Sequence, residues 1–186
     1  MENKERVCIF IDGSNFYHCL RKDFGDVNVD FQKISQELCG KDRRHIRTYY
    51  YNAPLDMSHD KEKYAKQQKF FETLRKTPNF KVVLVRLQKR KIDGKTYYAV
   101  KGDDIHIAVD MVMLAQNNSY DTAILVSGDG DFTPAVEAVQ SFGKCIENAY
   151  FKTGHSWHLS QACDVSTLLD KTLIQKCAAK SSQDGR

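Results

Sequence analysis

Residues 120–149 read YDTAILVSGDGDFTPAVEAVQSFGKCIENA, and a strand, a loop, a helix and a second strand follow one another within them. Thr122 to Val126 is a short apolar run, the pattern of a strand buried on both faces. Phe132 to Phe142 predicts a helix, opened near Pro134 and closed by Gly143. Lys144 to Ala149 predicts a further strand. This alternation belongs to an α/β layered fold with a mainly parallel sheet.

The same rhythm runs outward in both directions. Val7 to Ile11 predicts a buried strand that Asp12-Gly13 ends. Helices are expected at Asn15 to Arg21 and, with Asp30 as N-cap, on to about Cys39. Arg47 to Asn52 predicts a strand stopped before Pro54, His59 to Lys76 a helix, and Phe80 to Leu87 a strand. Lys89 to Val100 carries Asp93-Gly94 between extended segments, the signal of a tight hairpin. Asp104 to Asn117 predicts a helix, apolar at Ile105, Ala108, Val109, Val112 and Ala115, and His155 to Ala162 a short one. The chain turns polar after Lys171, and Ser181 to Arg186 is expected to be a disordered tail. One domain over residues 5–165, with an extension at 166–186, is the organisation these signals predict.

Composition narrows the class. The 186 residues are 41% hydrophobic, with 10 Gly, 3 Pro and a formal charge of +4. Collagenous, disordered and disulfide-miniprotein chains are excluded. No apolar run approaches the roughly 18 residues of a membrane span, and Asp12 ends the first run too early for a secretory signal. The six cysteines (8, 19, 39, 145, 163 and 177) form no C-x-x-C pair and no zinc-spaced cluster. They are expected to be buried core residues of a cytoplasmic protein.

Parallel sheets bind ligands beyond the carboxyl ends of their strands, so chemistry is sought there. Asp12-Gly13-Ser14-Asn15 follows the first strand, and Ser127-Gly128-Asp129-Gly130-Asp131 follows Thr122 to Val126. The helix after the hairpin opens with Lys101-Gly102-Asp103-Asp104 and carries Asp110. Singly, each acid fits turn or helix-cap chemistry. Together, if the strands are neighbours, four to six carboxylates converge. Like charges repel, and burying them unpaired is costly. An oxygen-preferring cation, Mg²⁺ or Mn²⁺, would neutralise them.

The strings VCIFIDGSNFY, KGDDIHIAVDMVMLA and YDTAILVSGDGDFTPAVEAVQSFGK resemble the NYN-domain family, in the LabA-like branch of the PIN-like nucleases. The resemblance covers about residues 5 to 165, and Lys101-Gly102 and Ser127 to Phe132 are its most diagnostic pieces. It implies a three-layer α/β/α fold and metal-dependent cleavage of RNA. It implies a catalytic set of Asp12, Asp104, Asp110, Asp129 and Asp131, with Asp12, Asp104, Asp129 and Asp131 on the metal and Asn15 beside them. Helical phase puts Asp103, not Asp104, on the face of Asp110. The family pattern favours Asp104, and both stay open.

Basic charge is concentrated elsewhere. Lys81 to Lys101 holds seven Lys or Arg against one acid, with Tyr97 and Tyr98 among them. Such a segment suits the backbone and stacked bases of single-stranded RNA, so Arg90, Lys91 and Lys101 join Asn15 and Ser127 as expected substrate contacts. Lys61 to Lys76 reads as a solvated helix face. The expected partner is single-stranded RNA, with no membrane; a homodimer is left open.

Three other readings compete with a ribonuclease. One is an RNA-binding module of the same fold without useful catalysis. The second is a haloacid-dehalogenase-like phosphatase, from the D-x-D-x-T string at Asp129 to Thr133. That motif normally begins its domain, and only 53 residues follow Thr133 here, without the paired acids that chemistry needs. The third, a nucleotide-binding enzyme, lacks both glycine-rich phosphate motifs.

Overall fold

A computed structural model describes residues 4–92 and 95–179, with backbone only for 87–101. The Asp93-Gly94 turn, the 181–186 tail and the side chains of Arg90, Lys91 and Lys101 lie outside the described residues.

Six strands form one sheet, and every pairing in it is parallel. They are β1 (Arg6–Asp12), β2 (Arg44–Asn52), β3 (Phe80–Leu84), β6 (Thr122–Val126), β7 (Cys145–Tyr150) and β8 (Val165–Leu168). Their order is β3-β2-β1-β6-β7-β8. The chain builds outward from β1 to one edge, then returns to β6 and builds to the other. The order therefore reverses between β1 and β6, where a crevice must open. A separate antiparallel hairpin, β4 (Arg86–Ile92) and β5 (Lys95–Lys101), stands between β3 and the next helix.

The central strands are apolar because both faces are covered. Val7, Ile9 and Ile11 of β1 face the layer of α1 (Gly13–Phe24), α2 (Phe31–Cys39), α3 (Lys61–Lys76) and α7 (Lys171–Lys176). Cys8 and Phe10 face α4 (Asp103–Gln116), α5 (Thr133–Ser141) and α6 (Trp157–Ala162). The three tyrosines of β2 divide the same way, Tyr50 to the first layer and Tyr49 and Tyr51 to the second. Five of the six cysteines are buried and all six are unpaired thiols, Cys145 alone being exposed. Among the described residues no helix is long and apolar enough to cross a membrane.

Three local expectations change. The run Phe80 to Leu87 is two strands: the Val85 N–H still donates to the Asn52 carbonyl of β2 (2.9 Å), and from Arg86 the chain pairs with β5 instead. On α4 the buried face is Asp103, Ile107, Met111 and Ala115, while Ile105 and Val109 are exposed. Burial follows the helix face that meets β1 and β2, and an all-round apolar helix gives no phase in the sequence. The last elements, β8 and α7, have no counterpart in the sequence reading.

Candidate active site

The register pairs Ile11 with Val126, so the residues that follow β1 and β6 stand side by side at the reversal of strand order. Asp12 is 4% exposed. Its Oδ1 accepts the Asn15 N–H (2.9 Å), capping α1, and its Oδ2 accepts the Ser127 hydroxyl (3.2 Å). Ser127 Oγ in turn accepts the Asp129 N–H (3.2 Å), and Asp129 Oδ1 accepts the Asp131 N–H (3.0 Å). Asn15 Oδ1 accepts the Gly128 N–H (3.2 Å), closing a ring between the two loops.

Glycines let these backbones meet. A Cβ on Gly13 would stand 2.5 Å from the Tyr50 ring and the Tyr51 carbonyl. One on Gly128 would stand 2.1 Å from the Gly154 carbonyl oxygen. Asn148, buried in β7, donates from Nδ2 to the carbonyls of Leu125 (3.1 Å) and Ser127 (2.8 Å), which fixes the end of β6.

From the other side comes α4. Gly102, in the left-handed region at φ 88°, is its N-cap, and no side chain caps the helix. Neither Asp103 nor Asp104 is thus occupied as a cap, unlike Asp12 and Asp129. Burial first, then the charges of Asp103 and Asp104, push the Asp12 carboxyl up to about 6. Burial, then Asp103, Asp129 and Asp131, push Asp104 up to about 6 as well. Five carboxylates therefore share one electrostatic environment.

The remaining expected residues fall differently. Asp110 accepts the Tyr51 hydroxyl (2.8 Å), and its charge acts on Tyr51 and Tyr49 rather than on Asp12 or Asp104. Ser127 is buried, with its hydroxyl donating to Asp12 and accepting the Asp129 N–H, so it ties Asp12 to the Asp129 backbone. The Thr133 hydroxyl donates to the Gly130 carbonyl (2.8 Å) at the start of α5. Asn148, Tyr51 and Gly154 were missed. Only Asn148 left a trace in the sequence, as an amide inside an apolar strand.

The donor set is all carboxylate and amide oxygen, chemistry that suits Mg²⁺ or Mn²⁺. Burial first, and then neighbouring charge, raise Asp12 and Asp104, and a cation would relieve the repulsion between the carboxylates. Among the described residues, no three His, Cys, Asp or Glu side chains are grouped closely enough to hold one metal ion in this conformation.

The model of the NYN domain matches residues 6–170 of this chain. A crystal structure of a protein of unknown function from Vibrio parahaemolyticus is similar, with a TM-score of 0.73 and 25% identity over 96% of this chain and 99% of that one. A search of curated proteins finds no match.

Proposed function

The chain belongs to the NYN domain family, and from that membership we propose that it is a metal-dependent ribonuclease acting on single-stranded RNA. The observation that carries this reading is the set of carboxylates at the β1/β6 crevice, two of them, Asp12 and Asp104, raised to about 6 by burial and by neighbouring carboxylates. A fold does not keep such a repulsion for stability alone.

Asp12, Asp104, Asp129 and Asp131 would hold the metal, with Asp103 beside them. When bound, Mg²⁺ or Mn²⁺ supplies an activated water and charge stabilisation at the scissile phosphate. The chain's own groups do the positioning. Ser127 and the Asn15 N–H hold both oxygens of Asp12 in one orientation. Asn15 Nδ2 has no partner among the described residues and is free to donate to a phosphate oxygen. Asp110 orients Tyr51 on the strand next to Asp12. Lys101 would counter developing negative charge, and Arg90 and Lys91 would meet the RNA backbone.

The test is cleavage of labelled single-stranded RNA by purified protein in Mg²⁺, in Mn²⁺ and in EDTA. The expected result is cleavage with either ion and none in EDTA. The second reading is a binding module of the same fold without useful catalysis. RNA bound but uncut in all three conditions would establish that one instead.

A further inference from the structure

We propose that residues 151–156, the loop from β7 to α6, and Trp157, which opens α6, extend the RNA-binding surface towards the β8 edge: Trp157 stacks a nucleobase, and Lys152, Lys22 and Lys171 hold the backbone. The proposal rests on the ribonuclease reading for its ligand and adds a surface on the β7 and β8 side of the crevice.

Three observations converge. First, the loop is locked to the acidic loop. The Gly154 carbonyl lies where a Cβ of Gly128 would be, and Ser156 Oγ lies 2.8 Å from the Cβ position of Gly130. Second, Trp157 follows directly and opens α6, which packs on the Gly130–Phe132 turn. This tryptophan, the only one in the chain, is 63% exposed and meets His158 edge-on at 5.3 Å. A large indole left in water beside a phosphodiester site offers a stacking face to any base.

Third, the other end of the loop enters an open groove lined by Lys22, Phe24, Lys152, Leu168 and Lys171. Two carboxylates also line it, each held by a backbone N–H, and against the three lysines they leave the groove a net side-chain charge of +1. Asp23 accepts the Thr153 N–H (3.0 Å), and Asp170 caps α7 by accepting the Leu173 N–H (2.8 Å). No ion pair among the described residues involves any of the three exposed lysines. Unpaired ammonium groups around a groove are counter-charges for phosphate. The loop thus joins a base platform to a phosphate groove.

The experiment uses the full chain in EDTA, so that nothing is cut, and single-stranded RNA of about 4 to 16 nucleotides. Because Trp157 is the sole tryptophan, its emission reports the contact directly. RNA is expected to quench it, and an abasic oligonucleotide of equal length to leave it unchanged. Trp157→Ala is expected to weaken binding roughly 5- to 150-fold, with Trp157→Phe restoring most of it. Lys152→Ala with Lys171→Ala is expected to lower the salt slope by about 0.7 per lost contact. Emission unmoved when anisotropy shows saturation, or variant affinities equal to wild type, would overturn the proposal. So would an emission change that follows protein concentration without RNA, which would make the patch a protein interface. Cleavage by wild type separates the two readings. Unaltered variant affinity beside metal-dependent cleavage removes this loop and leaves the ribonuclease. Weakened variants beside uncut RNA keep the loop and remove the ribonuclease.

Discussion

Asp12 carries two opposed roles. It caps α1 and anchors Ser127, yet it is buried among Asp103 and Asp104. Its carboxyl stands at about 6 in the fold, against about 4 in an unfolded chain. The folded state therefore binds this proton more tightly than the unfolded state. The stability the group contributes is complete below about pH 4 and is lost as the pH rises through 6. Asparagine keeps the cap and removes the charge. Asp12→Asn should be more stable than wild type at pH 7.5 in EDTA, by on the order of 2 kcal/mol, with the two converging near pH 4. Urea unfolding at both pH values measures this, and a variant that is less stable at pH 7.5 would contradict it. Asp12, Asp103, Asp104, Asp129 and Asp131 were conspicuous in the sequence because they follow apolar runs or open a helix, whereas the preference for Asp104 over Asp103 came from the family pattern alone. Asp110 was legible as an acid but not by its partner, since the Tyr51 hydroxyl reaches it from a different strand. The two bonds of the Ser127 hydroxyl were not legible for the same reason: burial and hydrogen-bond partners are tertiary facts.

Most elements were legible, because each central strand is a short apolar run with a turn signal behind it. The misses have physical causes. Val165–Leu168 is an exposed edge strand, so it has no apolar pattern to read, and α7 is only six residues long. The β3/β4 break at Val85 contains neither glycine nor proline. The loops at the crevice depend on a contact that no pattern reveals, the approach of Gly154 to Gly128. That contact is testable. Gly128→Ala puts a methyl group against rigid backbone, where Gly154 itself sits at φ 77°. It should cost roughly 1–3 kcal/mol or more, together with cleavage and RNA binding by the β7–α6 loop. Denaturant unfolding checks the first, and a variant as stable as wild type would show that the two loops are not in contact.

At the scale of the molecule, the alternation of strands and helices predicted the class and the parallel sheet, but not the strand order. The order is decisive, because only β1 beside β6 brings Asp12 to the loop that carries Asp129 and Asp131. Two covered faces leave the carboxyl edge as the place where the α4 acids can join them. The family pattern supplied that convergence by resemblance; spacing alone could not. The central claim is that this convergence is catalytic. The most direct measurement is single-turnover cleavage of labelled single-stranded RNA by Asp12→Asn beside wild type in saturating Mn²⁺, with anisotropy in EDTA showing that both proteins bind. The account predicts no detectable cleavage by the variant, with RNA affinity kept or tightened as negative charge leaves the crevice. Cleavage by Asp12→Asn at the wild-type rate would contradict it.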